Sequence, residues 1–338
     1  MFSMFCAVVL AAAATPAPAP ASGLHVLKSL AVPGDGGWDY LTADADARRL
    51  YVSHSDHVAV VDLDSEKVVG EVKNTQGVHG IAVAPDLKRG FVSAGRANTV
   101  TIFDLGTLAT IAEVKTGQNP DAILYEPATH RVFAFNGRSG DATVIEGASG
   151  TVAGTVALGG KPEFAVTDGA GRIYVNIEDK SELVALDAKT MAVKSRWPLA
   201  PCEEPTGLAF DVAHHRLFSV CGNGLMAVVD AESGRVVTTL PIGQNVDGAA
   251  FDAEKGLAFA SNGEGTLTVV REESPDRFQV VANVPTQRGA RTIALDAKTH
   301  RLFLPTAQFG PPPSPSAQTP RPRPPLVPGS FVVLVVGE

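Results

Sequence analysis

The sequence predicts an all-β fold, a seven-bladed β-propeller of four-stranded antiparallel blades. Three observations predict it: a long internal repeat, four strand-like segments in each repeat, and two chain ends that complement each other. An apolar pair recurs with spacings of 40, 42, 41, 44, 40 and 45 residues between second members. A period of about 40 to 45 residues is the length of a propeller blade. The pairs are Leu50-Tyr51, Gly90-Phe91, Val132-Phe133, Ile173-Tyr174, Leu217-Phe218, Leu257-Ala258 and Leu302-Phe303.

Each repeat contains four short strand-like segments that are separated by turn residues. Strand a is short and built of small residues, as in Gly80 to Val83, and a polar turn that usually ends in Arg separates it from strand b, which carries the aromatic residue. Strand c is apolar and ends in Asp, as in Met226 to Asp230, and a tight turn leads into strand d, Val236 to Leu240. Turn residues at intervals of about 8 to 12 residues are typical of an all-β repeat. Because no stretch keeps a helical period, we expect almost no helix.

The two ends of the chain complement each other. The last repeat supplies strand a (Thr292 to Leu295), strand b (Leu302 to Leu304) and strand c (Phe331 to Val336), but no strand d. The segment from His25 to Pro33 matches the strands d of the other repeats. We therefore expect this N-terminal strand to complete the last blade and close the ring, which removes an exposed sheet edge.

A Pro-rich segment, residues 305–329, lies between strands b and c of the last repeat. Its prolines oppose ladder hydrogen bonding and favour an extended polyproline conformation. Its position in the repeat places it on the face that carries every d-to-a connection. It is either a mobile insertion or a lid or partner-docking segment, to which Arg321 and Arg323 contribute.

Composition and charge restrict the classes of function. The chain of 338 residues has 45% hydrophobic and 19% charged residues, which is a globular composition, and a formal net charge of -8. An acidic chain without a run of Lys and Arg repels phosphate backbones, so we do not expect nucleic-acid binding.

The N-terminus indicates export. Residues 1–21 have the apolar core (Met4 to Ala14) and small residues of a signal peptide, with cleavage after Ala14 or Ala21, although Lys and Arg are missing before the core. The apolar run is shorter than the roughly 20 residues that span a bilayer. We therefore expect a periplasmic or secreted protein without a transmembrane span in its mature form, with residues 24–338 as one domain and a monomer in solution.

Three segments carry a likeness to a known family: GQNPDAI at 117–123, RRLYVSHSDHVAVVD at 48–62 and GVHGIAVAPD at 77–86. They resemble the YVTN-repeat, YncE-like family of seven-bladed β-propellers over about residues 24 to 338. The resemblance implies the propeller fold and a secreted or periplasmic location. Related propellers act as lactonases or as subunits of quinone-type dehydrogenases, and the family carries a DNA-binding label in places. The strands corresponding to the family's Y-V-T-N read YVSH, FVSA, FAFN, YVNI, FSVC and FLPT here.

Two cysteines, Cys202 and Cys221, remain after removal of the signal peptide, and the repeat places both on one face of blade five. In an oxidising compartment we expect them to form a disulfide. Such a bond closes a loop of about 20 residues and contributes on the order of 3 kcal/mol. The alternative is a pair of free thiols; a metal site is disfavoured because no His lies at ligand spacing.

Alignment of the repeats places one residue of each blade at the mouth of the central channel. Four of them are carboxylates, which can bind a divalent cation such as calcium or zinc, or act as general acid and base. His79 or Arg291 can stabilise an anion. The alternative is that the acids bind amides of their own connections. The seven residues are Asp39, His79, Asp121, Glu163, Thr206, Asp247 and Arg291, and the candidate metal ligands among them are Asp39, Asp121, Glu163 and Asp247.

A second set of polar residues lies at or near the b-to-c connections of the same face. This set consists of His54, Asp56, Asn98, Asn136, Glu178, Asn223 and Glu264. Together with Trp38, Tyr40 and Phe164, it can line a pocket, and His54 and Asn136 are candidate ligand-binding residues. The other histidines, His130, His215 and His300, occupy one turn position on the opposite face, and we interpret them as turn residues.

No motif of a known catalytic site is present: neither a phosphate-binding loop that opens a helix, nor G-x-S-x-G, nor H-E-x-x-H. We therefore interpret the chain as a scaffold that binds an unknown protein or small molecule through the channel-mouth face, without an expected cofactor. The alternative is a metal-assisted, lactonase-like hydrolase with a cation at the channel mouth. DNA binding is the least favoured function.

Overall fold

The computed structural model describes residues 23–314 and 324–338, and in them 28 strands form seven four-stranded antiparallel sheets. The sheets are the blades of a ring, so the predicted seven-bladed β-propeller is confirmed. In this part of the chain the only helical segments are two single 3-10 turns, Pro85–Leu87 and Glu178–Lys180. No helix of the described residues is both long enough and apolar enough to cross a bilayer.

The strands are numbered in chain order and each blade takes them as a, b, c and d. Blades one and two contain β2 (Leu41–Asp44), β3 (Arg49–His54), β4 (His57–Asp62), β5 (Lys67–Val72), β6 (Val78–Ala84), β7 (Arg89–Ala94), β8 (Thr99–Asp104) and β9 (Thr110–Lys115). Blades three and four contain β10 (Pro120–Glu126), β11 (Arg131–Asn136), β12 (Asp141–Glu146), β13 (Val152–Ala157), β14 (Pro162–Thr167), β15 (Arg172–Ile177), β16 (Glu182–Asp187) and β17 (Ala192–Pro198).

Blades five and six contain β18 (Pro205–Asp211), β19 (Arg216–Cys221), β20 (Leu225–Asp230), β21 (Val236–Pro241), β22 (Val246–Asp252), β23 (Leu257–Asn262), β24 (Thr266–Ser274) and β25 (Arg277–Pro285). Blade seven contains β26 (Ala294–Asp296), β27 (Arg301–Thr306), β28 (Val332–Gly337) and β1 (His25–Ala31).

The first strand of the chain closes the ring, as predicted. Strand β1 pairs antiparallel with β28, and Leu30 lies opposite Val333. Leu30 and Val32 are buried in a cluster with Phe331 and with core residues of blade one. The N-terminal strand is therefore an integral part of the core and joins the last blade to the first.

The small residues of strand a are required by the convergence of the inner strands. A Cβ atom at Gly207 would lie 2.7 Å from the Cα of Gly248 in the next blade, a distance that no side chain tolerates. Strand b carries the large rings, and Tyr51, Phe91, Phe133 and Phe218 are fully buried. The taper from small inner residues to large rings suits a wedge-shaped blade.

The histidines assigned to turns occupy one backbone conformation on the face opposite the channel mouth. His130, His215 and His300 have φ values of 53°, 56° and 54°, in the left-handed region. Each is the last turn residue before strand b, where the chain reverses. The acid that ends strand a stabilises this turn, and in blade five Asp211 accepts the Ala213 amide at 3.1 Å.

The Pro-rich segment begins later than predicted, because β27 continues to Thr306 and includes Pro305. The inner strand β26 pairs only as far as Phe303, so the missing N–H of Pro305 interrupts no ladder on that side. The base of the segment is held by a bridge between Phe309 and Leu326. Residues 315–323, with Arg321 and Arg323, and the predicted signal peptide, residues 1–21, lie outside the described residues.

The predicted disulfide is confirmed. Cys202 and Cys221 are bonded, and their Cα atoms are 5.7 Å apart. Cys221 ends β19, and Cys202 lies in the connection that enters blade five. The bond ties this connection to strand b of the same blade, and both residues are fully buried.

Candidate functional site

Asp39 is the centre of the ion pairs at the channel mouth. Its Oδ2 lies 2.5 Å from Nδ1 of His79, and its Oδ1 lies 3.3 Å from Nη2 of Arg291. His79 is also 3.6 Å from Oδ1 of Asp121, and Nε of Arg291 donates to Oδ2 of Asp247 at 2.7 Å. Five of the seven predicted residues, from blades one, two, three, six and seven, thus form one connected network.

The two remaining residues of the ring behave differently. Glu163 accepts from Nζ of Lys161 at 2.7 Å, and the same ammonium group binds Glu178. The hydroxyl of Thr206 lies 3.3 Å from the backbone oxygen of Val246, so it stabilises the scaffold. The four predicted metal ligands are therefore divided between two local groups: Glu163 pairs with Lys161, and the other three acids belong to the Asp39 network.

Tyr40 is a buried phenol close to these acids. It is 5% exposed, and its ring centre lies 5.0 Å from that of Phe164. Burial, followed by the charges of Asp247, Glu163 and the other two ring acids, holds the pKa of Tyr40 well above 10.0. No hydrogen bond within the described residues contributes to that shift. The phenol therefore remains protonated and available to donate a hydrogen bond to a ligand.

Burial also shifts the pKa values of the ring residues. It is the main cause that raises the pKa of Asp121, Glu163 and Asp247. Burial opposes the charge of His79, but the hydrogen bond that His79 donates to Asp39 and the charge of Asp121 outweigh it and raise the pKa of His79. These groups of the channel mouth therefore keep their protons at pH values at which they would release them in water. Such shifts are typical of functional sites.

We expect the contribution of these groups to the stability of the protein to fall as the pH rises from their ordinary pKa values, 3.8 to 6.5, to their folded-state values of about 6 to about 9. A raised pKa favours the folded state at low pH, and this contribution is lost as the pH rises through the folded-state value, for His79 and for the acids alike. Glu163→Gln should make the slope of the unfolding free energy against pH shallower, because Gln cannot ionise. Urea unfolding at a series of pH values measures this slope. Glu113→Gln on exposed β9 is the control, and an unchanged slope in Glu163→Gln would contradict the assignment.

A cavity of about 590 Å³ opens beside the network. It is lined by Asp39, His79 and Arg291, and also by Arg96 and Arg138. Within the described residues neither Arg96 nor Arg138 makes an ion pair. The wall of the cavity therefore presents two free guanidinium groups, and Asp39, which pairs with His79 and Arg291, is its acidic lining residue.

Repeat alignment also explains the residues that sequence reasoning missed. Arg96 and Arg138 both stand two residues after the end of strand b, in blades two and three, which is the position of Asp56 in blade one. Comparing the residue at this position in all seven repeats would have identified Arg96 and Arg138. Lys161 carries no comparable signal, since the chain has many lysines in connections.

The second predicted set is dispersed. Asn98 lines the cavity, and Glu178 binds Lys161. His54 is fully buried, stacks on Phe331 at 4.3 Å, and has no hydrogen bond on either ring nitrogen, while burial lowers the pKa of His54 to about 4. Asn136 is also fully buried and donates to Asp141 and Thr143. Neither His54 nor Asn136 lines the cavity.

Comparisons with known proteins support the fold. No protein-family model matches the chain, and no curated protein matches it. Among solved structures, "Kuenenia stuttgartiensis Hydrazine Synthase" is similar at a TM-score of 0.71 and 17% identity, covering 84% of this chain and 95% of that one. "Structure of U3-55K" is similar at a TM-score of 0.73 and 9% identity, covering 94% of this chain and 99% of that one. "Crystal Structure of Mitotic Checkpoint Complex" is similar at a TM-score of 0.74 and 14% identity, covering 96% of this chain and 99% of that one. At these identities the likeness concerns the fold alone.

Proposed function

We propose that this propeller is a binding protein whose channel mouth receives a ligand with a positively charged group. The observation that carries the proposal is a surplus of acids among the charged groups of the channel mouth. Five carboxylates face three cationic groups, which leaves two carboxylates in excess; the acids are Asp39, Asp121, Glu163, Glu178 and Asp247, and the cations are His79, Lys161 and Arg291. Buried acids without a counter-charge are unfavourable, so a bound cation stabilises this arrangement.

The rim supplies the second half of the recognition. Arg96 and Arg138 line the cavity that Asp39 also borders, and their side chains form no ion pair with described residues. A guanidinium group binds carboxylate or phosphate through two parallel hydrogen bonds. The ligand class that fits both ends is a cation held with an anionic group, either a zwitterion or a metal ion bound together with an organic anion.

The proposal predicts a charge-dependent binding site. In titration calorimetry with Ca²⁺ and a panel of zwitterionic amino acids, at least one probe should bind the purified protein. The double variant Asp121→Asn with Glu163→Gln should weaken that binding at least tenfold, because it removes two acids and keeps their shape. Glu113→Gln is the matched control on an outer strand. Equal affinity of the double variant, or no binding of any probe, would contradict the proposal.

A metal-assisted hydrolase is the second candidate. One ligand atom each of Asp39, His79 and Asp121 lies within 4.8 Å of the others. Three such ligands leave a position for a water molecule that a cation can activate. Metal analysis of the purified protein tests the hydrolase. The hydrolase requires a stoichiometric ion that is lost in Asp121→Ala with Glu163→Ala, an outcome that also agrees with the binding proposal, and no bound ion at millimolar calcium or zinc contradicts the hydrolase.

We also propose that the chain is a periplasmic or secreted member of the YVTN-repeat, YncE-like family. The repeat segments around Gly117, Arg48 and Gly77 support the family, and the seven-bladed ring agrees with it. The bond between Cys202 and Cys221 supports the location, because disulfides persist in oxidising compartments. Two free thiols in protein isolated from intact cells would contradict the location.

A further inference from the structure

A second cluster of ligand-type side chains lies on the face opposite the channel mouth, where blades five and six meet. Asp211 ends β18, His214 belongs to the turn that follows, and Glu272 lies near the end of β24. Nδ1 of His214 is 2.6 Å from Oδ2 of Asp211 and 3.0 Å from Oε1 of Glu272. One ligand atom of each residue lies within 4.8 Å of the other two.

The carboxylate of Glu272 is buried and makes no hydrogen bond within the described residues. Its side chain is 4% exposed, and neither of its oxygens has a hydrogen-bond partner within the described residues. The approach of His214 is close, but it does not have the geometry of a hydrogen bond. An ionised Glu272 beside the buried Asp211 is strongly unfavourable unless a cation or a proton lies between them.

An unusual hairpin brings Glu272 to this position. Strands β24 and β25 each have nine residues, and their pairing continues past Arg271 to Glu272 and Phe278. The other outer hairpins are shorter, with strands of six or seven residues. The extension lies against the a-to-b turn of blade five, so it adds a buried acid next to an acid that otherwise serves only as a turn cap.

The neighbouring charges do not supply the missing cation. Arg216 is the adjacent positive side chain, and its Nη1 donates to Asp230 at 2.8 Å while its Nη2 lies 3.4 Å from Asp276. Its guanidinium group is therefore engaged with other acids. With a neutral imidazole at His214, the two carboxylates leave two negative charges, which one divalent ion neutralises.

We propose that Asp211, His214 and Glu272 bind a divalent transition-metal ion, with Zn²⁺ the best fit, and that this ion ties blade five to blade six. A set of one imidazole and two carboxylates suits zinc, whereas Ca²⁺ and Mg²⁺ prefer oxygen ligands alone. The His214 side chain is 52% exposed, so an ion reaches the site from solvent and keeps room for a water ligand. The site is independent of the channel mouth.

The next blade junction provides a matched control. There Nδ1 of His300 lies 2.7 Å from the buried Asp252, but the third acid, Glu254, is 80% exposed in solvent. The same residue types are present without a second buried carboxylate. We therefore expect no zinc site at that junction.

The test uses the full chain with Asp121→Asn as background, which disables the metal candidate at the channel mouth. After treatment with a chelator, zinc titration followed by calorimetry and mass-spectrometric metal analysis should show one equivalent of bound zinc and a rise in Tm. Adding Glu272→Gln should weaken zinc binding at least a hundredfold and abolish the rise in Tm. Adding Glu254→Gln instead should change neither.

Retention of zinc by the Glu272→Gln protein would overturn the proposal, as would the absence of zinc binding in the background protein. Preference for Ca²⁺ over Zn²⁺ would also overturn it. If Glu272→Gln does not fold, His214→Gln replaces it, since that side chain is half exposed. Cobalt then serves as a spectroscopic probe, and its ligand-field absorption should be present in the background protein and lost in His214→Gln.

Discussion

A chain that begins at Val32, and so lacks β1, should be unfolded at 25 °C and should show no cooperative unfolding transition on heating. Strand β1 supplies the fourth strand of blade seven, and Leu30 packs in the cluster that joins this blade to blade one. Its removal exposes the edge of β28 and opens the ring, which affects every blade because each is stabilised mainly by its neighbours. Calorimetry and the tendency to aggregate measure the effect.

Rescue in trans makes this prediction specific. A synthetic peptide of residues 23–31 should restore the transition, because the backbone of β28 is a template for an added strand. A control peptide with Leu30→Asp should not restore it, since the aspartate would be buried in an apolar cluster. A peptide with Ser29→Ala should work as well as the native one, because Ser29 is exposed. A native-like transition in the shortened chain without peptide would contradict the role of β1.

Removal of the disulfide should have the next largest effect on stability. The bond joins residues with a sequence separation of 19, and the loss of such a constraint on the unfolded chain costs about 3 kcal/mol. Cys202→Ala with Cys221→Ala is the suitable variant, because both positions are fully buried and alanine adds no polar atom. Urea unfolding of oxidised wild type, reduced wild type and the variant measures the difference.

The comparison of these three proteins separates the bond from the packing of sulfur. Reduced wild type and the double variant should both be less stable than the oxidised protein, and the variant should be lower by the small volume lost in the core. Alanine substitution of the solvent-exposed Val152 is a control for truncation of a side chain outside the core. A loss below about 1 kcal/mol on reduction would contradict the predicted contribution.

The blades and their order followed from local signals. A repeat period, an apolar pair and a turn that ends in Arg depend on residues close together in the chain, and they predicted seven blades, closure by β1 and the bond between Cys202 and Cys221. The repeat also brought Asp39, His79, Asp121, Asp247 and Arg291 to one mouth, because equivalent positions of a ring face a common axis.

Other features depended on contacts that no repeat position specifies. The pairing of Glu163 with Lys161 depends on where a long flexible side chain ends. The burial of His54 against Phe331 depends on how the segment before blade one covers it. Glu272 reaches Asp211 only because one hairpin is longer than its equivalents and lies against a neighbouring blade.

The sequence by itself determined the architecture and the seven residues at the channel mouth, since both are consequences of the repeat period along the chain. Only the tertiary structure decided which charges in that ring neutralise one another, which acids remain buried without a counter-charge, and which arginines remain free to bind a ligand. The physical reason is that these properties arise from distances of a few ångströms between blades, where side-chain direction and exclusion of water set the energy of each charge.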